Sequence, residues 1–125
     1  MENQFTRTET LIGIEAIEKL KNSRVAIFGL GGVGGYVVEA LARAGLGSLD
    51  LIDNDYINIT NINRQIYALN STIGKSKVEL AKARVLDINP NANVEIYKTF
   101  FSPDTSAEFE FSKYDYIVEI GRAHV

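Results

Sequence analysis

Cysteine and tryptophan are absent from this 125-residue chain, which also has a single histidine, a single methionine and only two prolines. Without cysteine, these residues can form no disulfide, thiolate nucleophile or Cys-based zinc site. No apolar run approaches the roughly 18 residues of a membrane-spanning helix. Met1-Glu-Asn-Gln-Phe-Thr-Arg7 also lacks the apolar core of a secretory signal, so a cytoplasmic location and no membrane partner are expected. Strong positive charge is missing as well: the net charge is −3 and the pI about 5.1. That balance argues against a broad nucleic-acid surface and leaves a local basic patch open. What remains is ordinary globular material, 46% hydrophobic and 23% charged, enough for one domain or part of one.

Glycine is plentiful by contrast, and its placement organises the chain. Val25-Ala-Ile-Phe28 reads as a buried strand, and Gly29-x-Gly31-x-x-Gly34 follows it directly before a helical pattern. A strand, a tight Gly-rich turn and a helix N-terminus together form a phosphate site. The backbone comes close to the anion there, and the free N–H groups and helix dipole favour negative charge. Close helix–strand packing is the alternative use of the same glycines.

Along the chain, Leu11, Ile14, Ile17 and Leu20 recur at helical spacing and predict one amphipathic N-terminal helix from Thr10 to Lys21, within an N-terminal unit 1–22. The helix after the glycine turn is expected from Val33 to Ala44, burying Val33, Val37, Ala40, Leu41 and Ala44, with Gly45 and Gly47 as its stop. A second strand from Ser48 to Asp53 completes a strand–helix–strand unit, which calls for a right-handed crossover and a parallel sheet. Residues 54–72 are polar and Asn-rich, predicting a long functional loop with one short helical turn around Asn61 to Ala68. A helix from Lys75 to Ile88 carries Val78, Ala81, Val85 and Ile88 and is closed by Asn89-Pro90. A third strand is expected at Asn93 to Tyr97, a short helix opening at Ser102-Pro103-Asp104, and a fourth strand at Tyr114 to Val118. The fold class is therefore α/β, a Rossmann-like, mostly parallel sheet with helices on both faces. It is truncated after about the fourth strand, with 23–119 as the N-terminal part of a nucleotide-binding domain. Ile120-Gly-Arg-Ala-His-Val125 resembles a sequencing adapter translated in frame and is set aside as a scar, with its histidine.

The discriminating residues lie between the second strand and the next helix. Asp53 ends its strand about 20 residues after the glycine turn, where an acid can accept hydrogen bonds from ribose hydroxyls. That fits NAD and ATP equally. Asp55 can hold a loop or a metal ion, or simply form an Asx turn. Arg64 stands among uncharged polar side chains in Thr60-Asn-Ile-Asn-Arg64-Gln65, and Lys77 opens the next helix after Gly74-Lys-Ser. A cation at a helix N-terminus opposes the dipole, and a bound anion would relieve it, which favours a triphosphate. Solvated surface charge is the alternative for both.

Taken together, Gly29-Leu-Gly-Gly-Val-Gly34, Asp53-x-Asp55, Asn61-x-x-Arg64-Gln65 and Gly74-x-x-Lys77 resemble the E1-like adenylating superfamily, which includes the ThiF and MoeB (HesA-like) proteins and the ubiquitin-activating enzymes. The likeness covers about residues 5–119. Thr6-Arg-Thr-Glu9, Ala40-Leu-Ala-Arg-Ala-Gly-Leu-Gly47, Asn61-Ile-Asn-Arg-Gln-Ile66 and Asp87-Ile-Asn-Pro90 make it most similar to the TcdA (CsdL) branch, the tRNA threonylcarbamoyladenosine dehydratases. The resemblance implies ATP as cosubstrate, Mg as its counter-ion, and attack of a substrate carboxylate on the α-phosphorus. By motif position it implies that Gly29, Gly31, Gly32 and Gly34 form the turn under the nucleotide, with Gly32 in contact. Asp53 would hold the ribose, Asn61 and Arg64 face the phosphates, and Lys77 neutralise charge developing on them. Arg64 and Lys77 are the implied catalytic residues; no protein metal ligand is assigned, and Arg7 is a loosely aligned N-terminal arginine. The implied partner is tRNA, or in the rival branch the C-terminal glycine of a ubiquitin-like sulphur carrier, and the complete enzyme would be a homodimer. An NAD-dependent oxidoreductase explains Gly29 to Asp53 but leaves Arg64 and Lys77 idle. The family's aspartate after the fourth strand would fall where the scar begins, so the 125 residues alone are expected to be inactive.

Overall fold

The computed structural model describes residues 3–99 and 111–119. Their order is α1 (Thr6–Ile12), α2 (Ile14–Lys21), β1 (Arg24–Phe28), α3 (Gly32–Ala44), β2 (Ser48–Ile52), α4 (Lys77–Ile88), β3 (Asn93–Tyr97) and β4 (Tyr116–Glu119). The four strands form one parallel sheet in the order β3-β2-β1-β4. Strand order reverses on either side of β1, so the crevice beyond the C-terminal ends of β1 and β4 is a topological switch point. This is the expected α/β Rossmann-like sheet.

Alternation along the strands decides where the core lies. Val25 and Ile27 of β1, Leu49 and Leu51 of β2, and Val94 and Ile96 of β3 project to one face, where Val38 and Ala42 of α3 and Val78, Ala81 and Val85 of α4 pack on them. The other face carries a smaller cluster of Ala26, Phe28 and Ile52 with Tyr97 and Tyr114 beside it. The helix expected to open at Ser102 lies outside the described residues.

Several boundaries differ from the sequence reading. The single N-terminal helix is two, because Gly13 sits at φ 87° and ψ 161° and breaks the hydrogen-bond ladder between α1 and α2. Leu11 and Ile14 are consequently exposed rather than part of one buried stripe. The buried face of α3 is Gly34, Gly35, Val38 and Ala42, about one residue round from the expected face, and Val33 is 63% exposed. The glycines cause that rotation: lacking side chains, they let the helix lie close on the sheet. A Cβ on Gly34 would run into the carbonyl oxygen of Gly29, so this glycine is required by backbone contact. Helix α4 starts at Lys77 rather than Lys75, since Lys75 and Ser76 are taken up pairing with the segment around Ile57.

Two ionic clusters bind the elements together. Asp50, fully buried on β2, accepts bonds from Arg24 Nη2 at 2.8 and 3.0 Å and from the Tyr114 hydroxyl at 2.6 Å. This fastens the start of β1 and the approach to β4 onto the central strand. Burial and the Asp50 carboxylate push the Tyr114 phenol well above its usual range. Glu39 on α3 accepts from Arg84 Nε on α4 at 2.6 Å and from Arg43 Nε, one turn on, at 2.8 Å.

Three outcomes are expected. Gly34→Ala should lower the denaturant midpoint by an amount equivalent to about 3 kcal/mol, the upper end for an overpacked site. Gly32→Ala should cost about 1 kcal/mol, because a Cβ there meets open space and only the φ of 32° opposes it. The Arg84 hydrogen bond holds the Glu39 carboxyl below its usual value, against the opposing effect of burial. Its stabilisation is therefore complete above the ordinary glutamate range of about 4.3 and is lost as pH falls through the depressed folded value. Glu39→Gln should cost about 1 kcal/mol at neutral pH, and its thermal unfolding curve should converge with that of the parent in acid.

Candidate nucleotide site

The site grows from the turn between β1 and α3. Gly29 leaves the strand at φ 97°, a left-handed conformation that a side chain would disfavour, and its N–H is bound by Ile52 O at 2.9 Å. Gly31 is the N-cap of α3 and no side chain caps the helix, nor does an acidic residue occupy its first turn. Gly34 N–H donates to Gly31 O at 2.8 Å, and the uncapped start of α3, at the positive end of its dipole, is where this turn would favour an anion.

Asp53, one residue past β2, is 8% exposed and ties this turn to the next loop. Its Oδ2 accepts the Leu30 N–H at 2.7 Å and its Oδ1 accepts the Asp55 N–H at 2.7 Å. A carboxylate has about four acceptor positions, so both oxygens retain a lone pair for ribose hydroxyls. The bonded line continues: Lys77 N–H donates to Asp55 O at 3.1 Å, and Lys77 Nζ lies 3.7 Å from Asp55 Oδ2. With its side chain 5% exposed, Lys77 is a buried cation at the first residue of α4, which excludes the solvated-surface reading for it.

The loop between β2 and α4 supplies the other candidates. It holds two short 3-10 turns, Ile59–Asn61 and Asn70–Thr72, in place of one helical turn at 61–68. Asn61 is buried, and its Oδ1 accepts the Asn58 N–H at 2.9 Å while Asn58 Oδ1 accepts the Thr60 N–H at 2.9 Å, a reciprocal cap that fixes the loop. Arg64 is exposed, and its Nη1 donates to Thr60 O and Asn63 Oδ1, both at 2.9 Å. The structure thus links the glycine turn, Asp53, Asp55 and Lys77 directly, while the Arg64 guanidinium rests on its own loop. Arg7 lies on the exposed surface of α1. Beyond Arg64 the chain folds back over α3: Ile66 and Tyr67 pack on Gly35, and the Tyr67 hydroxyl donates to Gly35 O at 3.4 Å. Burial raises the Tyr67 phenol far above its usual range. Sequence reasoning left Gln65 without a role. Its Nε2 lies 3.4 Å from the position of a Cβ on Gly31, and its place beside Arg64 in the loop motif was the available signal.

Comparison with known proteins follows the same lines. The family model described as the ThiF family matches residues 5–120. The tRNA threonylcarbamoyladenosine dehydratase of Bacillus subtilis is 49% identical over 119 residues, covering 95% of this chain and 47% of that protein. An adenylyltransferase and sulfurtransferase of Vanderwaltozyma polyspora is 38% identical over 112 residues, covering 89% of this chain and 25% of the relative. The crystal structure of Escherichia coli tRNA N6-threonylcarbamoyladenosine dehydratase, TcdA, in complex with ATP superimposes with a TM-score of 0.92 at 36% identity. That match covers 96% of this chain and 49% of the other. The chain spans about half the length of the curated dehydratases it matches. With the matched family region running across nearly all of its length, the chain belongs to the ThiF family.

Proposed function

We propose that this chain carries the nucleotide-binding part of an enzyme that adenylates a carboxylate, the threonylcarbamoyl group of a modified tRNA adenosine, and then cyclises it with loss of AMP. In that reading residues 23–119 are the N-terminal part of the adenylation domain and the complete protein works as a cytoplasmic homodimer. The exposed Leu11, Ile14, Val33, Tyr36 and Ile59 support a second copy as the cover for these surfaces.

The observation that carries the reading is the buried Lys77 at the end of the bonded line from the glycine turn through Asp53 and Asp55. A dinucleotide would seat its pyrophosphate at the N-terminus of α3 and carry no further phosphates toward this cation. A triphosphate seated with its α-phosphate at the N-terminus of α3 would place its outer phosphates toward α4 and the Arg64 loop. The substrate carboxylate attacks the α-phosphorus, the bond to the bridging oxygen breaks, and pyrophosphate leaves with its charge met by Lys77 and by Arg64 swung from Thr60. Such catalysis consists of positioning and of fixed cations aimed at the transition-state charge. Magnesium fits as an ion carried by the phosphates: it binds through one or two carboxylates plus substrate oxygens, and Asp55, 57% exposed, is the available carboxylate. When bound, the ion supplies further neutralisation of the phosphates. Among the described residues no cluster of three or more His, Cys, Asp or Glu forms a metal cage of its own.

The test is ATP–pyrophosphate exchange by the complete protein, with tRNA bearing threonylcarbamoyladenosine set against a ubiquitin-like sulphur carrier. Exchange that requires the tRNA is expected, with Lys77→Ala and Arg64→Ala each slower by about 100-fold or more. Exchange only with the carrier would transfer the protein to the sulphur-carrier branch, a class to which the adenylyltransferase and sulfurtransferase likeness belongs. The isolated 125 residues should release no pyrophosphate; release by them would contradict the assignment as one part of a larger active unit.

A further inference from the structure

Gln65 is 9% exposed, and its Oε1 is completely buried without a hydrogen-bond partner. A carbonyl oxygen left this way bears its full desolvation cost, and native structures retain such groups where a ligand or water brings the missing donor. The backbone that carries the side chain is fixed: Gln65 N–H donates to Asn61 O at 2.9 Å, Ala68 N–H donates to Gln65 O at 3.0 Å, and the following Ile66 and Tyr67 are packed on Gly35. Its Nε2 meanwhile rests against Gly31, the N-cap of the uncapped helix α3. The side chain therefore presents a donor at the mouth of an anion site and a buried acceptor beside it. Among the described residues two other buried side-chain atoms lack partners, Arg24 Nε, in a guanidinium already paired with Asp50, and Asn54 Oδ1, between Asp53 and Asp55.

We infer that the Gln65 amide is a nucleotide-positioning group, its Nε2 donating to a phosphate oxygen held at the N-terminus of α3 and its Oε1 accepting from a ribose hydroxyl or an ordered water that arrives with the nucleotide. This rests on the nucleotide reading above and adds to it a residue for which motif position gave no role. A Cβ on Gly31 would lie 3.4 Å from Nε2, in ordinary contact, so the amide sits directly against the start of α3.

The experiment is calorimetric titration of the complete protein with ATP, for the parent, Gln65→Met and Gln65→Glu, together with the melting temperature of each without nucleotide. Gln65→Met keeps the length and removes both polar atoms. It should melt at the parent temperature or above, since the unpaired oxygen is gone, yet bind ATP at least about tenfold more weakly, the effect of one lost hydrogen bond to a charged group. Gln65→Glu should bind more weakly still at neutral pH, because a carboxylate replaces the donor facing the phosphate. ATP affinity of Gln65→Met within about twofold of the parent would overturn the inference, and so would a variant that unfolds, since either makes the amide a structural element. Failure of the parent itself to bind ATP is a separate result, and it would remove the nucleotide reading along with the inference.

Discussion

The Asp53 carboxylate accepts one backbone N–H from the glycine turn and one from the loop that follows β2, each at 2.7 Å. Charge-assisted bonds of this length are roughly twice as strong as neutral ones, and here they join two irregular segments. The candidate site from the glycine turn to Lys77 hangs from that junction. Leu30 is fixed on one side, so Gly31 caps α3 with its N–H groups facing outward. Asp55 is fixed on the other, and through it the first residue of α4 and the buried Lys77 ammonium. The two helix N-termini are held in register by a single side chain.

That arrangement explains a placement that is unfavourable by itself. Lys77 is a cation at the positive end of a helix dipole and is almost out of water. Its ion-pair partner among the described residues, Asp55, is more than half exposed and lies at 3.7 Å, a loose contact. A cation kept under these conditions is under-neutralised, and a polyanion arriving at α3 would correct the balance. At the opposite ends of the strands the Asp50 cluster has the contrary character. Asp50 is buried and met by Arg24 and Tyr114 with good geometry, as suits a lock on the sheet. The two clusters thus differ, the Asp50 carboxylate being met within the fold and the Lys77 ammonium only loosely paired.

Much of this was legible in the residues, for physical reasons that differ by element. The β1 strand, the glycine turn and β3 were readable because their signals are local: a short apolar run, glycines at fixed spacing, alternation bounded by Asn-Pro and polar residues. The N-terminal helix was misread because hydrophobic spacing near one turn continues across Gly13, and only the backbone angle there reveals the break. The buried face of α3 was misplaced because its nearest approach to the sheet uses glycines, which periodicity in apolar side chains does not count. For the site, Asp53 and Lys77 could be selected from spacing and helix position. The bonds of Asp53 to both loops, the resting place of the Arg64 guanidinium, and the partnerless Gln65 oxygen depend on tertiary contacts that no local pattern encodes.

On the proposed reading the glycine turn and the buried lysine together form a triphosphate site rather than a dinucleotide site. The most direct measurement is a competition titration of the complete protein with ATP and NAD, followed by calorimetry. Saturable ATP binding that NAD does not displace is expected. Binding of NAD in preference to ATP would contradict the triphosphate site, leaving Lys77 as a buried charge without outer phosphates to meet.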